Sequence, residues 1–347
     1  MNDIYFSILI PVYNVDKYIR QCLDTVMSQT YNNFEVIIVN DGSTDNSASI
    51  CEEYAKKDLR IKIYNQTNQG LLLTRRNSIQ KAKGDYVLFL DSDDYWEKNL
   101  LEEVYKSIKK YHCDMLLFRY NRVNEYGKLM KRDVGVFENE TMFTQENKEL
   151  LFKQFIKGSR VNNIWAKVVR REIIDADTDY TNFKDKKSED LLQSMPLFCK
   201  AESILYLDKP LYNYRLSMSG RGRNFKAQYL DDIWAVREVV YDYMVKMGYG
   251  SEENLKLFYS YYVLCIVRFA KAFAITGPTQ EEVSHTLNKT KEKALFLNAL
   301  GYLKFYNFSL EERICYYLFI NNKYRTFTKY IQINNLIKQF LKRVIKY

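Results

Sequence analysis

Four short apolar runs in the first hundred residues constrain the fold more than anything else in this chain. They read FSILIPV (6–12), FEVIIVN (34–40), RIKIYN (60–65) and DYVLFLD (85–91), each rich in β-branched and aromatic residues. Between them, 17–29, 46–57 and 72–82 space their apolar residues as amphipathic helices do, with charged faces opposite. Near-continuous apolar strands separated by single helices predict an α/β fold, a mostly parallel sheet covered on both faces. Ligands of such sheets bind beyond the carboxyl ends of the strands. The polar loops found there, PVYN, NDGSTD, NQTNQG and DSDD, must therefore share one rim.

Beyond residue 96 the pattern loosens. A helix is expected over 97–111, a strand over 114–120, a hairpin around NEYGK, and a helix over 145–157. Irregular structure follows through VNNIWAKVVRREII, then a helix opening at SEDLL and a short strand at SILYLD; from about Phe225 the spacing is helical to the end. With 347 residues, 47% of them apolar and 27% charged, the chain is globular rather than disordered and fills one large or two ordinary domains. Its six cysteines are scattered without metal or disulfide-framework spacing, which suits a reducing compartment. The start, MNDIYFSILIPVYN, has no basic segment before its apolar run, unlike a secretory signal. The longest apolar stretch, YSYYVLCIVRFAKAFAITG, is interrupted by Arg268 and Lys271. A cytoplasmic protein, soluble or peripheral to a membrane, is the expectation.

Net charge is +9 but unevenly placed: residues 1–100 carry 11 basic and 14 acidic side chains, and 251–347 carry 15 and 7. A nucleic-acid binder would not keep its first hundred residues acidic and lack any recognised binding motif, so no nucleic-acid partner is expected. The basic excess instead gathers at the end. In YIQINNLIKQFLKRVIKY (330–347), Ile333, Leu336, Ile337, Phe340, Leu341, Val344 and Ile345 fall on one helical half, with Lys338, Lys342 and Lys346 on the other. From Asn321 onward there are seven basic residues and no acidic one. An interfacial helix for an anionic membrane surface has this composition. A helix packed on the core would show the same apolar face.

Two polar rim segments carry the chemistry. In VNDGSTDNS, Gly42 permits a tight turn and Ser43, Thr44 or Asp45 can cap the next helix, which leaves Asp41 unexplained by capping. An acid at a strand end can bind ribose hydroxyls or a base N–H. No G-x-G-x-x-G and no G-K-[ST] is present, so a bound nucleotide would need another device for its diphosphate. LFLDSDDYW supplies one: a hard divalent cation takes one or two carboxylates and completes its shell with phosphate oxygens. The competing reading places Asp93 or Asp94 at the start of the following helix.

Together SILIPVYNVDKYIRQCLDTVMSQTYNNFEVIIVNDGSTD, NQG and AKGDYVLFLDSDDYW closely resemble glycosyltransferase family 2, the inverting nucleotide-sugar transferases of GT-A fold. The resemblance implies a nucleotide diphosphate sugar donor, usually UDP-linked, bound with Mg²⁺ or Mn²⁺. With the boundary near 220 set by composition, the chain divides into a donor half (1–100), an acceptor half (101–222) and a C-terminal all-helical extension (223–347). Pro11, Tyr13 and Asp41 fall where the family contacts the nucleoside. Asp91 and Ser92 open the D-x-D motif near the ribose, and Asp93 is its metal-binding acid. The family's Ala-Arg-Asn-x-Gly reads here Thr74, Arg75, Arg76, Asn77, Ser78, so Arg75 keeps the arginine as a donor-side residue while Arg76 and Ser78 depart. NNIWAKVVRREII resembles a W-x-K segment and gives Trp165, Lys167 and Arg170 as acceptor-side candidates. KKSEDLLQSM resembles the Gly-Glu-Asp segment with Ser188 in place of glycine, which makes Asp190 the catalytic base with Glu189 in support. PLYNYRLSMSGRGR resembles the Y-x-Y-R loop, whose Arg215, Arg221 and Arg223 would close over the diphosphate. The implied activity is transfer to a saccharide or lipid-linked saccharide in cell-surface polysaccharide synthesis, at the inner face of the membrane. The alternative is a protein that binds a nucleotide sugar without catalysis, which would need no base.

Overall fold

The computed structural model describes residues 3–132, 134–158, 160–175, 178–183, 186, 188–216, 226–305 and 307–344. It comprises two compact units, 1–218 and 219–347.

Among the described residues of the first unit, the strands are β1 (Phe6–Val12), β2 (Phe34–Asn40), β3 (Ile61–Asn65), β4 (Tyr86–Phe89), β5 (Tyr95–Trp96), β6 (Met115–Asn124), β7 (Leu129–Arg132), β8 (Thr141–Phe143), β9 (Lys167–Arg170) and β10 (Ile204–Leu216). Its helices are α1 (Asp16–Met27), α2 (Ser47–Lys57), α3 (Leu71–Ile79), α4 (Leu100–Tyr111), α5 (Lys148–Lys157) and α6 (Glu189–Lys200). All strands join one sheet in the order β3-β2-β1-β4-β9-β6-β10-β5, with β7 on β6 and β8 on β10. The four strands read from the alternating pattern are parallel neighbours. β1 and β2 are buried at every position, which explains why they read as continuous apolar runs rather than alternating ones.

Two elements differ from the sequence reading. The VNNIWAKVVRREII segment, expected to be irregular, contains β9, a four-residue strand antiparallel to both β4 and β6. Lys167, Val168 and Val169 are buried, so Lys167 sits inside the sheet where an alternation test expects an apolar residue. The second difference is β10, which extends through Leu216 and absorbs most of what read as a loop after SILYLD. Because β9 is antiparallel to β4 and to β6, β6 runs parallel to β4, and its end at Asn124 reaches the same rim. Arg170 pairs with Tyr86 at the beginning of β4 and therefore lies at the opposite end of the sheet. There it bonds Asp114 and the His112 carbonyl, which removes it from the acceptor-side candidates.

The second unit is helical: α7 (Gln228–Lys246), α8 (Glu252–Ile275), α9 (Gln280–Lys291), α10 (Ala294–Tyr302), α11 (Leu310–Ile320) and α12 (Tyr324–Val344). By length and composition α8 alone, among the described residues, is long and apolar enough to cross a membrane, yet two thirds of its apolar window is buried within the protein. The charges that interrupt it are paired: Arg268 with Glu312 at 2.6 Å and Lys271 with Glu311 at 3.1 Å. Phe327, Thr328 and Ile331 bury the first half of α12. Its second half leaves Ile333, Leu336, Ile337, Phe340 and Leu341 exposed, at 48–65% of their full surface. At 100° per residue, Ile333 points about 200° away from Ile331. The distal apolar stripe thus faces away from the side that packs.

Candidate active site

The loops after β1 and β2 are laced together. The Asn14 amide oxygen accepts from the Thr44 N–H at 2.8 Å, Val15 N–H donates to Ser47 Oγ at 2.8 Å, and Asp16 N–H donates to Asp45 at 3.0 Å. Asp45 also accepts from the Ser47 N–H at 2.9 Å, so it serves the start of α2. Asp41 turns the other way. Its carboxylate accepts from Gln66 Nε2 at 2.7 Å, Gln69 N–H at 2.8 Å and Gly70 N–H at 2.9 Å, while its side chain is nearly inaccessible. Asp41 therefore anchors the NQTNQG loop, with one lone pair on Oδ2 beyond these three bonds. Gly42 adopts φ +73°, and a Cβ there would lie 3.1 Å from the Asn68 nitrogen, so glycine is what lets this loop close. Pro11 is buried at the end of β1, and Tyr13 beyond it is 40% exposed at the rim.

The acids of DSDD separate by role. Neither Asp93 nor Asp94 opens a helix, because β5 intervenes before α4. Asp94 is buried and accepts from Tyr212 Oη at 2.7 Å and from the Arg215 N–H at 2.6 Å. Burial, reinforced by Asp93 and Asp91, pushes its carboxyl well above the ordinary range, toward the neutral form. Asp94 thus ties the acidic turn to β10, leaving Asp91 and half-buried Asp93 as the acids presented at the rim. Ser92 between them is buried.

Tyr212 is the hub beneath this turn, accepting also from the Asp91 N–H at 3.2 Å. Trp165 stacks on Tyr212 with centroids 4.4 Å apart and on Tyr214 at 5.3 Å, and meets Tyr120 edge-on at 4.8 Å. At 5% exposure Trp165 supports the acid turn from below and offers little surface to an acceptor. Sequence reasoning missed both tyrosines as positioning residues, although the Y-x-Y spacing that marks them was in view.

Arg75 connects the two candidate centres. It is 1% exposed and donates to Asp91 at 2.6 Å and to Asp190 at 2.8 Å, residues on β4's loop and on the first turn of α6. Burial works against its charge, but Asp91 and Asp190 outweigh that and hold the guanidinium more firmly protonated than usual. Burial raises the Asp190 carboxyl above the ordinary range, with Arg75 opposing and Glu189 and Asp91 adding to the rise. Glu189 opens α6 beside it and is half-buried. Ser188, standing in place of the family's glycine, adopts φ +69°, the left-handed region that glycine enters freely. Arg76 leaves this cluster: it lies over the Tyr180 ring and bonds the Thr178 carbonyl.

Two expected acceptor or diphosphate contacts prove to be internal struts. Lys167 is fully buried, donating to the carbonyls of Val161 at 2.7 Å and Asn163 at 2.6 Å; burial lowers its pKa, with Asp190 opposing. Arg215 is near the end of β10 rather than on a loop, and 3% exposed. Its guanidinium donates to the carbonyls of Asp93 and Glu125 and to Gln21 Oε1, and lies against the rings of Tyr18 and Tyr95. Closing over a diphosphate would cost it those bonds. Arg221 and Arg223 lie outside the described residues.

Among the described residues no three histidine, cysteine or acidic side chains converge as a metal cage. Asp91 and Asp93 at the rim suit a hard cation that draws its remaining oxygens from a phosphate-bearing ligand.

Residues 7–172 match the model of the family described as Glycosyl transferase family 2. Glycosyltransferase GlyA of Streptococcus pneumoniae serotype 4 is 31% identical over 264 residues, 74% of this chain but 37% of GlyA. EpsH of Bacillus subtilis is 33% identical over 235 residues, covering 67% of each chain. In fold, a crystal structure of Staphylococcus aureus TarS residues 1–349 in complex with UDP-GlcNAc superposes with a TM-score of 0.68, covering 96% of this chain and 92% of that one at 19% identity.

Proposed function

The chain belongs to glycosyltransferase family 2, and on that premise we propose that it is an inverting enzyme acting on a UDP-linked sugar. The acceptor is a hydroxyl of a saccharide or lipid-linked saccharide, and the setting is cell-surface polysaccharide assembly at the inner face of the membrane. The observation that carries this reading is the Arg75 bridge, which brings the strand-end acid Asp91 and the helix-start acid Asp190 to one guanidinium. TarS, which shares the fold, binds UDP-GlcNAc, in keeping with a UDP-linked donor.

The chemistry is a single displacement. Asp190 takes the proton of the acceptor hydroxyl as its oxygen forms a bond to C1 of the donor sugar. The bond from C1 to the diphosphate oxygen breaks on the opposite face, which inverts the anomeric centre. Asp190 suits the role because burial raises its proton affinity, while Arg75 fixes the carboxylate and keeps it available in the anionic form. Asp93, with Asp91, would hold Mg²⁺ or Mn²⁺, and such an ion neutralises charge on a departing diphosphate. Arg75 positions Asp91 on the donor side, and the Tyr212–Trp165 stack fixes the acid turn from beneath.

Membrane association is assigned to the distal half of α12. Its exposed apolar stripe and a segment with seven basic and no acidic residues fit an anionic lipid surface. The membrane and catalytic readings are independent.

Asp190→Asn tests the catalytic assignment. It preserves shape, so UDP affinity should hold, whereas loss of the general base should lower turnover by ~10²–10⁴. Wild-type turnover in this variant would remove Asp190 from the mechanism; intact sugar binding with no turnover by the wild-type protein on any acceptor would favour a non-catalytic binder.

A further inference from the structure

The apolar side chains that the first unit leaves in solvent are not spread evenly. Nine large ones are exposed among its described residues, and four of these fall within nine positions: Tyr126 at 82%, Leu129 at 44%, and Met130 and Val134 at 61% each. They belong to the β6–β7 hairpin and the chain just after it. A fifth, Leu216, pairs with Asn124 at the root of the same hairpin. Single exposed apolar residues are ordinary, whereas a cluster rimmed by charge marks a contact surface. The rim here is basic. Lys17, Lys128, Lys131 and Arg132 outnumber Glu125 and Asp133, and the Glu125 carboxylate is already bound by Lys17 at 3.1 Å.

The tip of this hairpin asks little of water. Between Asn124 and Leu129 the chain turns over four residues, with Gly127 at φ +80°. The Asn124 carboxamide oxygen accepts from the Tyr126 and Lys128 N–H groups at 3.0 and 2.9 Å, and its carbonyl accepts from the Gly127 N–H at 3.0 Å. The carbonyls of the turn are taken as well: that of Lys128 by the Asn124 N–H, that of Gly127 by Tyr95 Oη, and that of Glu125 by Arg215 Nη1. A solvent loop can leave such groups to water, but one that enters a low-dielectric interface must satisfy them within the protein. In β7 the register steps from Val123↔Leu129 to Arg122↔Lys131, so Met130 is the extra residue of a bulge. A bulge blunts an edge strand against pairing with another strand, which disfavours a second copy of the chain as the occupant.

We infer that the β6–β7 hairpin is an interfacial contact for an anionic lipid bilayer, separate from α12. A tyrosine at the tip, apolar side chains beside it and three cations match the headgroup layer: the ring and the apolar groups enter it, while Lys128, Lys131 and Arg132 meet the lipid phosphates. Position gives the contact a consequence. The Arg215 guanidinium donates to the Glu125 carbonyl at 2.8 Å and to the Asp93 carbonyl at 2.7 Å, so the hairpin is tied to the acidic turn through one side chain. Lipid contact at Tyr126 therefore sets the rim that presents Asp91 and Asp93 beside the bilayer surface. That an acceptor meets the rim there rests on the transferase reading; the lipid contact itself does not. A single turn is too small to anchor the protein alone, so the hairpin orients a chain already held at the surface.

The native tryptophans make the test clean, because Trp96, Trp165 and Trp234 are all buried and an indole added at the surface is the one that lipid can reach. The full chain carrying Tyr126→Trp is mixed with phosphatidylglycerol–phosphatidylcholine vesicles whose phosphatidylcholine is brominated in its acyl chains. Its emission should move to the blue and be quenched beyond any change in the wild-type protein. Leu59→Trp, an exposed position ahead of β3 at the opposite end of the sheet, should stay unquenched. Tyr126→Ser/Met130→Ser and, separately, Lys128→Gln/Lys131→Gln should each weaken vesicle binding about tenfold, the second pair only on anionic vesicles and least at high salt. UDP-sugar hydrolysis without vesicles should not change in either. A protein that sediments with vesicles but is quenched at neither position, or equally at both, overturns the hairpin contact and leaves α12 as it stands. Absent quenching together with a dimer that Tyr126→Ser/Met130→Ser dissociates in ultracentrifugation would make this face an interface between copies. A wild-type protein that does not sediment with vesicles strikes the hairpin and the α12 assignment together. Absent UDP-sugar hydrolysis with quenching intact would instead strike the transferase reading alone.

Discussion

Replacing Arg75 probes the link between donor side and base most directly. Arg75→Met removes the cation from between two carboxylates without opening a large cavity. Breaking a buried ion pair by deleting one partner costs about 3–5 kcal/mol. Here the lower part of that range applies, because Asp91 and Asp190 keep 20% and 26% of their side chains exposed and water can take over part of the solvation. A loss of about 3 kcal/mol should lower the melting temperature of this unit by roughly 6–12 °C. The kinetic effect is the sharper one. Arg75 is the influence that lowers the Asp190 pKa, against burial, Glu189 and Asp91. Since the base acts deprotonated, turnover falls as pH drops through its pKa. Removing Arg75 raises that pKa, so the acid limb of the kcat profile should move to higher pH. An arginine lowers a neighbouring carboxyl by about 1–3 units, and partial exposure of Asp190 again selects the low end, about one unit. Arg75→Lys should fall between, since an ammonium cannot span two carboxylates with paired donors. The assay is turnover against pH for wild type and both variants. In an Asp190→Asn background Arg75→Met should no longer move an acid limb, because that shift runs through the base. A limb that stays in place in the single variant, with UDP affinity lost instead, would refute the argument and make Arg75 a donor contact alone.

Three further outcomes are expected. UDP binding measured by calorimetry should depend on Mg²⁺ or Mn²⁺, and Asp93→Ala should abolish most of that dependence; equal wild-type affinity in EDTA would remove the metal from the site. Truncation after Ile331, the last residue of α12 to be buried among the described side chains, should leave donor hydrolysis intact and release the protein from anionic vesicles in sedimentation, since each lost cation near such a surface is worth ~1 kcal/mol. A truncated protein that precipitates or still pellets with vesicles would count against the membrane assignment. Ser188→Gly should stabilise by up to about 1 kcal/mol in denaturant titration, the left-handed penalty less the added chain entropy of glycine; destabilisation would show that the Ser188 side chain has a use of its own.

What the sequence made legible follows from how locally each feature is determined. β1 and β2 were readable to the residue because both faces of a central parallel strand are covered, so nearly every position is apolar, the buried exceptions Ser7, Glu35 and Asn40 being hydrogen-bonded. β9 was hidden because its buried Lys167 breaks the apolar run, and the carbonyls of Val161 and Asn163, contributed by the preceding loop, help to make that burial tolerable. The same distinction separates the site residues. Asp91, Asp93 and Asp190 stood out because acids at a strand end or beside an apolar run are conspicuous against their neighbours. Their division of labour was invisible, since it depends on partners far away in the chain: Tyr212 and Arg215 claim Asp94 from 118 and 121 residues away, and Arg75 reaches Asp190 across 115. Arg215 shows the hazard of reading charge alone. A guanidinium in a motif was expected to meet phosphate, but one with its donors already given to Asp93, Glu125 and Gln21 is part of the wall that shapes the rim. Buried cations here do structural work at the rim's edge, and the charge left for chemistry is concentrated where Arg75 faces two carboxylates that water still reaches.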